Sequence, residues 1–105
     1  MKKFKLIYFV PEASLEETKT ALFFAGAGKM GDYSETCWQV KGIGQFRPLP
    51  GAQPAIGQRG ELEKVEEYRV ETLVQEDYLH AALKALKEAH PYEEAAIELI
   101  ELFYP

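Results

Sequence analysis

Cysteine and histidine are scarce in this sequence, and their scarcity excludes whole classes of site. Cys37 is the single cysteine among 105 residues, so no intramolecular disulfide can form, which is typical of a reducing compartment. His80 and His90 are the only histidines, and on a helix their spacing of ten residues is too long for one metal ion to bind both. The sequence therefore contains neither a disulfide framework nor a histidine–cysteine zinc cluster.

Long apolar runs and an excess of positive charge are also missing. The apolar stretch at residues 6–10 is far too short to span a membrane. Twelve basic residues against 17 acidic ones leave a net charge of −5, whereas duplex nucleic acid and anionic membranes require a positive patch. We therefore expect a cytoplasmic protein that folds as one domain over residues 1–105, with no cofactor, no nucleic-acid partner and no membrane partner.

Hydrophobic periodicity predicts six elements in the order βαββαβ. Strands are expected at residues 3–10, 36–40, 65–74 and 95–103, and helices at about 15–24 and from Asp77, as N-cap, to just before Pro91. Ser14 and Glu17 have the spacing of a capping box for the first helix. Residues 42–60 hold five of the eight glycines and three of the six prolines, which predicts a long loop.

This order predicts an α+β, ferredoxin-like fold, in which an antiparallel four-stranded sheet carries two helices on one face. The third strand sets Val70, Thr72 and Val74 on one face and its charged residues on the other. Apolar residues such as Ile7 and Phe9 also fall on the face without helices. That mixture favours a homo-oligomer, dimer or trimer, formed through the sheet.

Residues 26–31 spell G-x-G-x-x-G, the pattern of a dinucleotide-binding turn. The chemistry of that motif requires a strand before the turn and a helix after it, so that the helix N-terminus meets the pyrophosphate. Here a predicted helix precedes the glycines and a predicted strand follows them. We therefore interpret the segment as a helix C-cap followed by a turn.

The long loop is the strongest candidate for a binding site. A loop of this length inside a compact domain is more often functional than idle, although it could be an Ω-like loop that packs on its own apolar side chains. Free backbone amides near two arginines suit a small anion or carboxylate. The ligand-binding candidates in and beyond this loop are Gly44, Arg47, Pro54, Gly57, Arg59, His90, Tyr92 and Glu93.

The turn at residues 90–94 concentrates an imidazole and two carboxylates. These groups could hold a divalent cation, which makes His90, Glu93 and Glu94 the alternative candidates for metal ligands. The simpler interpretation is a helix stop followed by a solvated acidic turn. Elsewhere the acidic residues 61, 63, 66 and 67 are typical of a solvated strand face, and no constellation of residues requires an enzyme.

Five ordered motifs resemble a known family. They read G-A-G-x-x-G-D-Y-S at residues 26–34, G-x-G-x-F-x-P at 42–48, G-x-x-P-x-I-G at 51–57, E-x-V-E at 63–66 and H-P-Y-E-E-A-A at 90–96. Together they resemble the small domain inserted into YqfO-type, NGG-interacting-factor-like proteins with a dinuclear metal centre, which some bacteria carry as a stand-alone protein. Ala95 is a departure, because the family usually has proline there.

The resemblance implies a fold similar to the PII and CutA trimeric signalling proteins, and a regulatory or ligand-sensing role without an established reaction. In the larger relatives the metal ligands lie in the flanking core domain, so the resemblance carries no metal site to this chain. Two hypotheses follow. The first is a non-enzymatic module that oligomerises and binds a small ligand or a protein partner. The alternative is a metal-binding or metal-dependent hydrolytic protein whose site is shared between subunits.

Overall fold

The predicted order of strands and helices is present in the computed structural model, which describes residues 1–103. A short 3-10 turn, Glu12–Ser14, lies between the first strand and the first helix. The six main elements are β1 (Lys3–Val10), α1 (Leu15–Phe24), β2 (Trp38–Phe46), β3 (Glu63–Gln75), α2 (Glu76–Ala89) and β4 (Ile97–Leu102).

The four strands form one antiparallel sheet in the order β2-β3-β1-β4. Both central strands bury alternate side chains, Leu6 and Tyr8 on β1 and Val70 and Val74 on β3, against α1 and α2. This period of two is what a sheet with one covered face requires. The predicted α+β, ferredoxin-like fold is therefore confirmed.

The helices supply the other half of the core. In α1 the buried residues Leu15, Thr18 and Leu22 recur every three or four positions, as the sequence predicts. In α2, Ala82 and Leu86 are buried in the same way. One polar contact lies inside this layer, where the Tyr8 hydroxyl is 2.9 Å from Oγ1 of Thr18.

The first helix starts at Leu15, as predicted, but the predicted capping interaction of each helix is wrong. Ser14 is the N-cap of α1, but its side chain makes no capping hydrogen bond, so the capping box with Glu17 does not form. The N-cap of α2 is Gln75, and Asp77 lies inside the first turn because β3 runs directly into the helix. Asp77 can still stabilise the helix there, since a carboxylate in the first turn complements the helix dipole.

The glycine-rich segment ends α1, in agreement with the C-cap interpretation. Gly26 has a φ of 112°, which only glycine adopts readily. The amide of Gly26 donates to the carbonyl of Phe23, and the amide of Ala27 donates to that of Leu22, which is the hydrogen-bond pattern of a Schellman motif. The amide of Gly28 then donates to Leu73 of β3, which fixes the turn against the sheet.

The second strand differs most from its prediction. It starts at Trp38 rather than at residue 36, and it continues to Phe46, through glycines that were assigned to the long loop. Pairing with β3, from Trp38↔Glu71 to Phe46↔Glu63, keeps Gly42 and Gly44 extended. Cys37, which falls within the predicted strand, therefore lies just outside the observed one, and it is exposed.

The paired ends of β2 and β3 project beyond the helices. Residues 63–67 of β3 pair with β2 alone, because β1 ends at the pair Val10↔Tyr68. The radius of gyration is 14.6 Å, compared with about 13 Å for a compact domain of this length. Within residues 1–103, no helix is long and apolar enough to cross a membrane.

Candidate functional site

A cavity of about 770 Å³ lies on the sheet face that the helices leave uncovered, next to the projecting strands. It is open to solvent on one side and is bordered by three segments: the sheet, the long loop and the turn after α2. The lining consists of Phe9, Glu67 and residues 45–49, 51, 52, 54–56, 92–94 and 96. The loop and the turn are joined by a 3.1 Å hydrogen bond from the amide of Gln53 to Oε1 of Glu93.

Glu67 reaches into the cavity from the middle of β3. Its carboxyl group lies over Gly44 on the neighbouring strand, where an added Cβ would be only 2.6 Å from Cδ of Glu67. Gly44 makes room for this carboxyl group, and its predicted contact with a ligand stays a prediction. The hydroxyl of Tyr92 donates to Oε2 of Glu67 over 3.4 Å.

The environment shifts the acidity of both partners in this contact. Burial raises the pKa of Glu67, and the hydrogen bond from Tyr92 opposes that shift. Burial, followed by the neighbouring carboxylate, raises the pKa of Tyr92 to about 12. Tyr92 is therefore a neutral donor at physiological pH, and Glu67 is a partly desolvated acceptor that faces the cavity.

His90 supports this arrangement from beneath the turn. Its side chain is 7% exposed, with Nε2 2.6 Å from the carbonyl oxygen of Phe9 and Nδ1 accepting the amide of Tyr92 at 3.1 Å. Because Nδ1 is an acceptor, the proton of the neutral ring lies on Nε2. Burial lowers the pKa of His90, although the bond to Phe9 acts in the opposite direction.

The two arginines of the loop hold its backbone together. Nη1 of Arg47 donates to the carbonyl oxygen of Gly60 over 2.8 Å, and Nε of Arg59 donates to that of Ala52 over 2.6 Å. Gly57 lets the loop turn with a φ of 85°. These contacts give both arginines a structural role, and their predicted role in fixing an anion stays a prediction.

Four of the eight predicted ligand-binding residues line the cavity: Arg47, Pro54, Tyr92 and Glu93. Gly44, Gly57, Arg59 and His90 support its walls without being part of the lining. The structure thus brings together the long loop and the turn at residues 90–94, which are distant in sequence.

Glu67 is the residue that sequence reasoning missed. It was grouped with the solvated acidic residues of the third strand, because alternation along a strand does not show that a loop returns over one face. The available signal was the G-x-G at residues 42–44, since a glycine inside a strand often marks a close approach of another group.

The arrangement is unfavourable for the alternative metal site. Both ring nitrogens of His90 are hydrogen-bonded to backbone groups, and Oε1 of Glu93 accepts a backbone amide. Within residues 1–103, no group of three or more histidine, cysteine, aspartate or glutamate side chains is placed to hold a metal ion. His90, Glu93 and Glu94 would have to rearrange before they could bind one together.

Comparison with known proteins reveals close relatives of greater length. The chain is 44% identical over 95 residues to the "GTP cyclohydrolase 1 type 2 homolog" of Bacillus subtilis, a match that covers 90% of this chain and 26% of the relative. This chain corresponds to one segment of such longer proteins. It spans about a quarter of the length of the curated relatives that it matches. No protein-family model matches it.

Solved structures are similar to this chain in the same way. A Bacillus cereus protein related to NIF3 superposes with a TM-score of 0.84 and 39% identity, over 96% of this chain and 26% of the other. CutA from Xylella fastidiosa superposes with a TM-score of 0.73 and 15% identity, over 100% of this chain and 88% of the other. The second likeness shows the fold alone, and it confirms the CutA-like architecture.

Proposed function

We propose that this chain is a non-enzymatic regulatory module that senses a small ligand, bound in the cavity between the sheet, the long loop and the turn. The cavity is the observation that carries the proposal. At about 770 Å³ it lies within the range of about 300–1,000 Å³ that is typical of small-molecule sites. Its walls combine apolar side chains such as Phe46, Leu49 and Ile56 with a few polar groups, as such sites usually do.

The architecture of the cavity favours sensing. Two of its walls, the long loop and the turn, are joined by the hydrogen bond from the amide of Gln53 to Glu93. A ligand that contacts both walls would reinforce this connection and reduce the freedom of the loop. Such an ordering of a loop is a change that a partner protein can recognise.

A binding role also fits the state of the imidazole nearest the cavity. A general base needs a ring nitrogen directed toward a substrate. Both nitrogens of His90 are engaged with Phe9 and Tyr92 instead. The relatives' name refers to a GTP cyclohydrolase, and we assign no such reaction to the segment that this chain represents.

We further propose that the module acts in the cytoplasm as a homo-oligomer, with a second copy of the chain covering the open sheet face. Trp38, Val40 and Ile100 lie on that face and are between 43% and 58% exposed. Exposed apolar groups that share one face are typical of an interface between chains. Residues 63–67 of β3, which extend beyond the end of β1, provide a further strand edge for it.

Filling the cavity tests the ligand-binding function. We would screen metals, nucleotides, carboxylates and amines by thermal shift, because a ligand at a hundred times its Kd adds about 2.7 kcal/mol of stability. In Ala55→Trp, whose new side chain occupies the cavity, we expect the shift to disappear. Ala81→Trp, on the exposed surface of α2, should retain it. No shift across the panel, or a shift that survives in Ala55→Trp, contradicts the proposal.

The oligomeric state requires a separate experiment. We expect a mass above 11.9 kDa in solution, and a shift toward the monomer in Ile100→Glu, which places a charge on the open sheet face. Phe24→Glu is the matched control, since Phe24 is an exposed apolar residue at the end of α1. A monomeric mass over a wide concentration range excludes the oligomer.

A further inference from the structure

Acidic residues outnumber basic residues in the lining of the cavity. Glu67, Glu93 and Glu94 line it, and Arg47 is the only basic residue in the lining. Within residues 1–103, none of these three carboxylates takes part in an ion pair. Arg47 already donates to the carbonyl oxygen of Gly60. The cavity therefore has an excess of negative charge, which favours a cation over an anion.

Glu67 provides the most specific contact for such a cation. Tyr92 occupies Oε2, and within the described part of the chain no hydrogen bond reaches Oε1. The side chain is half-buried, so its carboxylate is partly desolvated before any ligand arrives. A charged donor that reaches Oε1 would form a stronger hydrogen bond than a neutral one.

Three aromatic residues line the cavity together with this carboxylate. Phe46 and Tyr92 have ring centroids 6.4 Å apart and planes tilted by 52°, and Phe9 lies on the sheet beside them. Aromatic faces attract cations, and the effect grows when the cation is desolvated. Arg69, the nearest basic residue along β3, is paired with Glu71 at 3.1 Å, and its guanidinium lies 5.8 Å from the ring centroid of Phe9. A ligand cation would therefore contact the rings of Phe46 and Tyr92 rather than that of Phe9.

We infer that the cavity binds a small organic cation, an ammonium ion carried on an apolar aryl or alkyl body. This inference rests on the proposed ligand-binding function. The ammonium group would bind at Glu67 between the rings of Phe46 and Tyr92, and the apolar body would contact Pro48 and Ile56 of the loop. A bare metal ion fits less well, because a metal requires several converging ligands and would leave the apolar walls unused.

A matched series of probes tests the inference on the protein itself. We would titrate 2-phenylethylammonium, 2-phenylethanol and 3-phenylpropionate, which differ mainly in charge, and follow the methyl signals of Ala52 and Ala55 by NMR. We expect the ammonium compound to bind most tightly and the carboxylate least. Because this order is measured on the wild-type chain, it does not depend on any variant folding.

Glu67→Gln tests whether the carboxylate of Glu67 is the charge that binds the ammonium group. The substitution conserves shape and removes the carboxylate, so we expect the affinity for 2-phenylethylammonium to fall at least about tenfold. Glu66→Gln is the matched control, because Glu66 points to the opposite sheet face, where it pairs with Lys41, and it should bind as the wild type does.

Two results would overturn the inference and leave the proposed function intact. They are tighter binding of 3-phenylpropionate than of the ammonium compound, and an unchanged affinity for the ammonium compound in a folded Glu67→Gln. If no probe binds and the broader screen is also silent, both the inference and the proposed ligand-binding function are wrong.

Discussion

Lowering the pH should destabilise this fold through His90. The buried ring is neutral in the folded protein, with the proton on Nε2 directed at Phe9 and Nδ1 accepting the amide of Tyr92. Protonation puts a hydrogen on Nδ1 that faces the donor of Tyr92, so this hydrogen bond must break. Because burial lowers the pKa of His90, the folded protein binds fewer protons at this ring than the unfolded chain does.

The difference in protons bound at His90 by the folded and unfolded chains determines how stability changes with pH. The contribution of His90 to the free energy of unfolding is complete above its ordinary pKa of 6.5. It is lost as the pH falls from there toward the lowered pKa of the folded state, with a slope of at most about 1.4 kcal/mol per pH unit. Glu67 acts in the opposite sense, since its raised pKa removes stability as the pH rises through that value.

Urea denaturation followed by circular dichroism between about pH 5 and 8 measures this slope. We expect His90→Gln to be less stable than the wild type at neutral pH by about 1–3 kcal/mol, because buried backbone groups lose partners. We also expect its stability to depend less on pH. His80→Gln, at an exposed position on α2, should keep the wild-type slope. If His90→Gln also keeps the wild-type slope, the ring of His90 does not cause the pH dependence of stability.

Two glycine substitutions give further tests. Gly44→Ala should displace the Glu67 carboxyl group from the Tyr92 hydroxyl, because the new Cβ overlaps it, but should lower the free energy of unfolding by less than about 1 kcal/mol, since the end of a flexible side chain can move. Gly42→Ala on the same strand meets nothing within 4 Å, so an equal displacement of Glu67 in both variants, followed by NMR, would refute the steric argument. Gly26→Ala should lower the Tm by several degrees, since it combines a φ of 112° with a Cβ 2.6 Å from Cγ of Tyr78. A Tm equal to that of the wild type would contradict this.

The elements with strong periodicity could be predicted well. Alternation along β3 and the spacing of Leu79, Ala82 and Leu86 on α2 identify the covered face of each element, because burial on one side imposes that period on the sequence. The order of the elements then leads to the fold class. Capping interactions were predicted less well, since Ser14 and Asp77 match the preferred residue types but do not form the expected hydrogen bonds.

The candidate site could be predicted only in parts. Its loop and its turn were both singled out, because glycine, proline and clustered polar residues mark irregular segments. The end of β2 was misassigned to the loop, since two glycines concealed a strand that depends on pairing with β3 for its extended conformation. Local propensity is a weak guide wherever a partner strand supplies the hydrogen bonds.

The sequence by itself determined the order of strands and helices, the covered faces of the central strands and the apolar stripes of both helices, because these depend on patterns within ten to fifteen residues. Only the tertiary structure decided that Glu67 faces a cavity and contacts Tyr92, that Gly44 makes room for it and that the ring of His90 contacts Phe9. Those contacts join residues that are 23 to 81 positions apart along the chain. Contacts of that separation are fixed by how the loop and the turn fold back over the sheet, and no local pattern specifies that return.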